Sequence, residues 1–344
     1  MSDDSYLGWL VSQTPTRWWH DSGDPHELER ALAHGASGVT TNPVLTYQAL
    51  RAQSEYWRPR VGQLDPHITP EERAITLMNV VARHTAARLE PTYRASGGDQ
   101  GYVCAQVNPA KAGDREAMLS MAHRFHAWAP NIAVKLPVTA AGLDVLEECT
   151  TAGITVTATV SFTVPQVLAV AERHRRGAVR AQSAGIIPGR CFPVIMIGRL
   201  DDYLREVAAD NRAGVSETDI RQAGLAVTKH AYQIFKAQGY TAVLLVAALR
   251  GAHHMAGLAG GELIMSIHPK IQAVLLEPGV PRQVGIDQAV DPQVIQRLSS
   301  LRDFCRAYEP DGMQPEEFIS FGVTQRTLAT FYDSAWVPLQ EFKF

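Results

Sequence analysis

Short apolar runs rich in β-branched residues alternate along this chain with stretches whose apolar residues recur every three or four positions. That rhythm predicts strands and helices in turn. The strand-like runs are Arg17 to Asp21, Gly38 to Asn42, Tyr102 to Val107, Ile132 to Leu136, Ile154 to Val160, Cys191 to Ile197, Ala242 to Ala248 and Leu263 to Ile267. Strands separated by helices build parallel βα units. Eight of them predict an α/β fold, a closed (β/α)8 TIM barrel over about residues 16–270.

Boundary signals support the helices between these runs. Asp24-Pro25-His26-Glu27 offers an N-cap acceptor, a proline at the first helical position and a capping-box glutamate. Asp114 caps a predicted helix whose Met118, Met121, Ala122, Phe125 and Trp128 form one apolar face, a core stripe rather than a cofactor box. Ser216 opens a helix through Ile220, Leu225, His230 and Phe235, and Gly239 closes it as a C′ glycine. Thr139 is placed to cap the helix after the fourth run. Beyond Lys270 the rhythm stops. Glu277 to Pro281 reads as a loop, and helices with a turn at Glu309-Pro310-Asp311-Gly312 follow, expected to pack outside the barrel or over its mouth. With no repeats or clear linker, one domain with a helical C-terminal extension over about 271–344 is the simplest organisation.

Charge and composition narrow the partners. A formal net charge of -3 with 19% charged residues gives neither a nucleic-acid footprint nor a polybasic membrane patch. The opening Met1-Ser2-Asp3-Asp4 lacks the basic and apolar regions of a signal peptide. No apolar run approaches a membrane span. Cys104, Cys149, Cys191 and Cys305 form no CxxC pair, so reduced thiols and a cytoplasmic location are expected.

Chemistry in such barrels gathers at the C-terminal strand ends. Reading those ends in order gives Asp21, Asn42, Gln106, Lys135, Thr157 with Thr159, Arg199 and Arg250, each a misfit in an apolar interior unless it serves a site or finds a partner. Lys135 stands out, flanked by Ala133, Val134, Leu136 and Pro137 in a short buried run. Desolvation there disfavours the ammonium, which suits a Schiff-base nucleophile, although a lysine snorkelling from a strand end fits the run alone equally well.

Three motifs in order then carry a family resemblance: Asp21-Ser22-Gly23-Asp24, the box Gly38-Val39-Thr40-Thr41-Asn42-Pro43, and the lysine strand with its Pro137-Val138-Thr139 tail. Together they resemble the transaldolase family from about Trp18 to Lys270, with a weaker echo at Phe318 to Val323. The resemblance implies sugar phosphate substrates, no cofactor, no metal, a place in pentose phosphate metabolism and a homodimer. It implies that Lys135 forms an imine with a ketose phosphate and that Asp21 acts as general base, then acid. It further assigns Thr159 with Gln106 to the proton-shuttling water, Asn42, Thr40 and Thr157 to the bound sugar, and Arg199 and Arg250 to its phosphate.

The chain departs from the family pattern at four positions. Gln106 stands where a glutamate is usual, Thr157 replaces an asparagine, Val194 a phosphate-binding serine and Met196 an aromatic residue. A glutamine holds a water but cannot take its proton, leaving base duty to Asp21, and it is similar to the fructose-6-phosphate aldolase branch. A lyase, a transaldolase-like enzyme with a non-standard substrate and a silent phosphosugar-binding protein therefore stay open beside transfer. His20, His253 and His254 are expected to line the substrate mouth, or equally to stand as exposed loop histidines, rather than share a metal, because adjacent histidines diverge on regular elements. The bland alternatives are a turn-capping Asp21, a turn-forming Asn42, Arg199 paired with Asp201 or Asp202, and Arg250 as a loop cation.

Overall fold

The computed structural model describes residues 5–65 and 67–344; the opening Met1-Ser2-Asp3-Asp4 lies outside the described residues. Eight parallel strands close in chain order into a barrel. They are β1 (Arg17–His20), β2 (Gly38–Val39), β3 (Tyr102–Gln106), β4 (Ile132–Pro137), β5 (Val156–Thr159), β6 (Cys191–Met196), β7 (Leu245–Ala247) and β8 (Ile264–Ile267). β8 pairs back onto β1, with Trp18 opposite Met265.

Each of the eight sequence runs contains a strand, but several are shorter than the alternation predicts. β2 stops at Val39 because the chain must turn for Asn42, whose side chain caps the helix Pro43–Ala52. Ala242 to Leu244 reach the barrel irregularly, although Val243 N–H still donates to the Cys191 carbonyl and Leu244 accepts from Ile264. The long helix Pro70–Ala95 and the shorter Ser54–Val61 fill the connection between β2 and β3.

Strand alternation sends one residue in two into the barrel. At its N-terminal end large rings fill that space: Trp19 meets Phe192 at 4.9 Å between centroids, and Phe192 meets Tyr102 at 5.4 Å. Gly38 makes room for them, since a Cβ there would stand 2.6 Å from the Trp19 ring. A floor this full leaves the open end, where strands run out and loops begin, as the place for a ligand.

Caps fix where the helices start. Asp24 accepts from the His26 and Glu27 N–H groups. Glu27 does not complete a capping box, because its carboxylate takes the Ser22 hydroxyl at 2.5 Å and Ser22 in turn accepts from Asp24 N–H. Thr139 caps the helix Ala140–Thr151, while Ser216 and Asp219 form a capping box on Glu217–Gln238 and Gly239 ends that helix at φ 62°. The Met118 stripe is core: Met118, Ala122 and Phe125 are buried, and Phe125 stacks on Trp128 at 4.2 Å.

Past β8 the chain forms helices including Pro292–Leu298, Arg302–Tyr308 and Gly322–Phe331, then a π-helical turn Tyr332–Trp336 and a last short helix Val337–Gln340. Gly322–Phe331 packs on the helix Ile197–Asp210 and on the turn after β3, and Val337–Gln340 packs on Pro70–Ala95. The C-terminal segment thus lies across the open end, anchored by fully buried Trp336. Among the described residues no helix is long and apolar enough to cross a membrane.

Candidate active site

Lys135 sits two residues before the end of β4, paired in register with Gln106 of β3 and Thr157 of β5, while Pro137 faces Thr159. Its residue exposure is 6%, and its Nζ makes only a long 3.5 Å contact to the Thr41 carbonyl. An amine held this loosely by protein is available to a bound electrophile. Thr157 is fully buried, against Cys104 with Oγ1 and Sγ 3.3 Å apart, and burial pushes the Cys104 thiol up. Gln106 Oε1 and Thr159 Oγ1 are buried without a hydrogen-bond partner in the protein. Buried polar atoms of this kind are rare unless a bound molecule or water completes them.

Asp21 follows β1 and is held by the neighbouring strands. Thr40 has a single hydroxyl proton and gives it to Asp21 Oδ1 at 2.6 Å, so Ser266, also 2.6 Å away, donates to Thr40. The relay Ser266 to Thr40 to Asp21 orients one carboxylate oxygen and leaves the other for a ligand. Asn42 caps the next helix through Oδ1, at 3.0 Å from Leu45 N–H, so its side-chain NH2 is the donor it can offer a ligand.

A cavity of about 240 Å³ opens at these strand ends, lined among others by Asp21, Thr40, Asn42, Lys135, Arg199 and Arg250. Three cations and one carboxylate on its wall favour a small anionic ligand. The two arginines are held differently. Arg250 gives Nε and Nη2 to Asp202 Oδ2 at 3.0 and 2.8 Å, and Nη1 to the Ala248 carbonyl at 2.8 Å. Arg199 has no such acceptor among the described residues; its guanidinium lies 5.2 Å from the Phe331 ring centroid. Burial first, then repulsion from Arg250, lowers its pKa from the ordinary arginine value, with Asp202 partly offsetting both.

The cavity therefore brings together Asp21, Thr40, Asn42, Lys135, Arg199 and Arg250, while Gln106, Thr157 and Thr159 stand on the strands flanking Lys135 without lining it. Val194 and Met196, two of the departures from the family pattern, are in its wall. The expectation that His20, His253 and His254 line the mouth is not met. His20 is fully buried, accepts from Gln272 at 2.9 Å and is pushed down to about 4, mainly by burial. His254 turns inward to Asp201 at 3.0 Å, and His253 lies beside Arg221. Asp201 is thereby taken and Asp202 is engaged by Arg205 and Arg250, so neither pairs with Arg199. No cluster of three or more His, Cys, Asp or Glu suited to a metal occurs among the described residues.

Sequence reading missed Ser266, His268 and Phe331, all in the wall. Ser266 and His268 alternate with apolar residues along and just past β8, a polar signal at a strand end that was open to the same reasoning as Lys135. Phe331 had no such signal, because it comes from a helix long after the last strand.

A profile of the Transaldolase/Fructose-6-phosphate aldolase family matches residues 18–314. Among similar proteins, transaldolase 1 of Streptomyces avermitilis is 31% identical over 269 residues, covering 74% of this chain and 67% of that protein. A transaldolase of Neisseria meningitidis is 27% identical over 320 residues, covering 92% and 82% respectively. One of Thiobacillus denitrificans is 28% identical over 302 residues, covering 79% and 81%.

Proposed function

The chain belongs to the transaldolase/fructose-6-phosphate aldolase family, and we propose that this transaldolase-like enzyme moves a dihydroxyacetone unit from a ketose phosphate to an aldose acceptor through a Schiff base on Lys135. The observation that carries this reading is the meeting of Lys135 and Asp21 with two arginines on one small cavity.

Lys135 Nζ adds to the C2 carbonyl and loses water to form the iminium. The Asp21 carboxylate removes the proton of the C4 hydroxyl, the C3–C4 bond breaks, and its electron pair passes into the iminium to give an enamine while the C4 aldehyde leaves. The acceptor aldehyde then takes the enamine carbon, its alkoxide recovers the proton from Asp21, and water releases the product. Buried Gln106 Oε1 and Thr159 Oγ1 beside Lys135 support a role in holding the water of imine formation and hydrolysis. Asn42 and Thr40 face the three-carbon unit; Arg199 and Arg250 face the phosphate. Thr157, in hydrogen-bond contact with Cys104, supports the wall beside the lysine rather than touching sugar.

Transfer and simple cleavage diverge at the enamine, and Gln106 in place of a carboxylate bears on which follows. The test is fructose 6-phosphate with and without aldose phosphate acceptors, following glyceraldehyde 3-phosphate release and the new ketose. Transfer requires that release depend on acceptor. Acceptor-independent release with free dihydroxyacetone would assign the protein to the aldolase reaction instead.

A further inference from the structure

Arg199 and Arg250 border the same cavity, yet their surroundings differ in a way that points beyond a shared phosphate grip. Arg250 is fixed by a carboxylate, and Asp202 offsets its charge at contact distance. Arg199 is half-buried next to that second cation, with no carboxylate or carbonyl acceptor among the described residues. Its specific contact among the described residues is the face of Phe331. Among the described residues lining the cavity, Phe331 alone comes from beyond the barrel; it is the last residue of Gly322–Phe331, 2% exposed. The π-helical turn Tyr332–Trp336 follows at once, a rare geometry often found at functional sites.

Resting on the reading of Lys135 and the arginines above, we propose that Phe331 is the positioning residue for Arg199 and, through it, a determinant of affinity for phosphorylated substrates. An aromatic face attracts a guanidinium through its quadrupole without neutralising it. A carboxylate in the same place would hold Arg199 equally still but compete with the incoming phosphate, as Asp202 does at Arg250. The ring therefore fixes the direction of Arg199 and leaves its N–H donors unengaged for the ligand. The C-terminal segment is in this sense part of the anion site, not only its cover.

The test compares wild type with Phe331→Leu and Phe331→Met, which keep an apolar side chain without a π face, and with Phe331→Tyr, which keeps the ring. Each folded variant, checked by thermal melting and near-ultraviolet circular dichroism, is titrated calorimetrically with inorganic phosphate and assayed with fructose 6-phosphate. The aliphatic variants are expected to weaken phosphate binding and raise KM about three- to thirtyfold, a larger factor than any change in kcat. Phe331→Tyr is expected to stay within about twofold of wild type, as a retained cation–π contact requires. Phosphate binding as tight in the aliphatic variants as in wild type would overturn the proposal, as would equal losses in the tyrosine variant. If wild type turns over no ketose phosphate, the Schiff-base reading fails, and the calorimetric series still decides the role of Phe331.

Discussion

Replacing His254 by leucine tests the wiring behind the arginines. His254 Nδ1 accepts the Arg250 backbone N–H at 3.2 Å, so its proton is on Nε2 and goes to Asp201 Oδ2 at 3.0 Å. Asp201 Oδ1 accepts from Gly224 N–H at 2.8 Å, and both side chains are almost wholly buried. Leucine removes the donor and strands a buried carboxylate with one partner. Removing a hydrogen bond to a charged group costs about 1.5–3 kcal/mol; the burial of Asp201 puts the expected loss in the upper part of that range, about 2–3 kcal/mol, or roughly thirty- to a hundredfold in the folding equilibrium. Urea unfolding followed by fluorescence reads this as a lower midpoint at unchanged slope. The double variant Asp201→Leu/His254→Leu removes both partners and is expected to be more stable than the single one, because an apolar pair of similar volume leaves no stranded charge. Arg250 also loses a backbone anchor, so KM should rise more for fructose 6-phosphate than for fructose. A His254→Leu variant within about 1 kcal/mol of wild type, or a double variant less stable than the single, would refute the coupling.

Three further outcomes follow from other contacts. Thr40→Val removes the hydroxyl that orients Asp21; kcat is expected to fall about ten- to a hundredfold, the worth of a hydrogen bond to a charged group, while borohydride traps the uncleaved hexose phosphate on Lys135, and an unchanged kcat would contradict the relay. Gly38→Ala forces a Cβ to within 2.6 Å of Trp19 and is expected to cost ~1–3 kcal/mol by overpacking, read as a lower melting temperature. His20, neutral in the fold down to about pH 4, leaves the unfolded chain binding the extra proton below its ordinary value of about 6.5; stability is therefore full above that pH and falls by ~3 kcal/mol as pH drops to about 4. His20→Leu should flatten that slope in urea melts between those limits, and an unchanged slope would assign the effect to other groups.

Much of the barrel was legible because its information is local. β-branched runs, N-caps at Asp24, Asp114, Thr139 and Ser216, and Gly239 each act within a few residues, and the structure uses all of them. Strand lengths were less legible, since where β2 and β7 leave the ladder depends on pairing between strands. Asp21, Asn42 and Lys135 could be picked out because a polar side chain at a strand end is anomalous by itself. The histidines misled: His254 next to His253 looks like a surface pair, and only the fold brings Asp201 to it. The different restraint of Arg199 and Arg250 was hidden for the same reason: Asp202 is close to Arg199 in sequence but the fold turns it to Arg250, and Phe331 comes from a helix far beyond the last strand.

The most direct test is intact-mass spectrometry of the protein after incubation with fructose 6-phosphate and borohydride, with Lys135→Ala alongside. A Schiff base at Lys135 predicts a reduced dihydroxyacetone adduct on wild type that maps to Lys135, and none on a variant that still folds. An adduct that persists in Lys135→Ala, or none on wild type across a panel of ketose phosphates, would contradict imine chemistry at this residue.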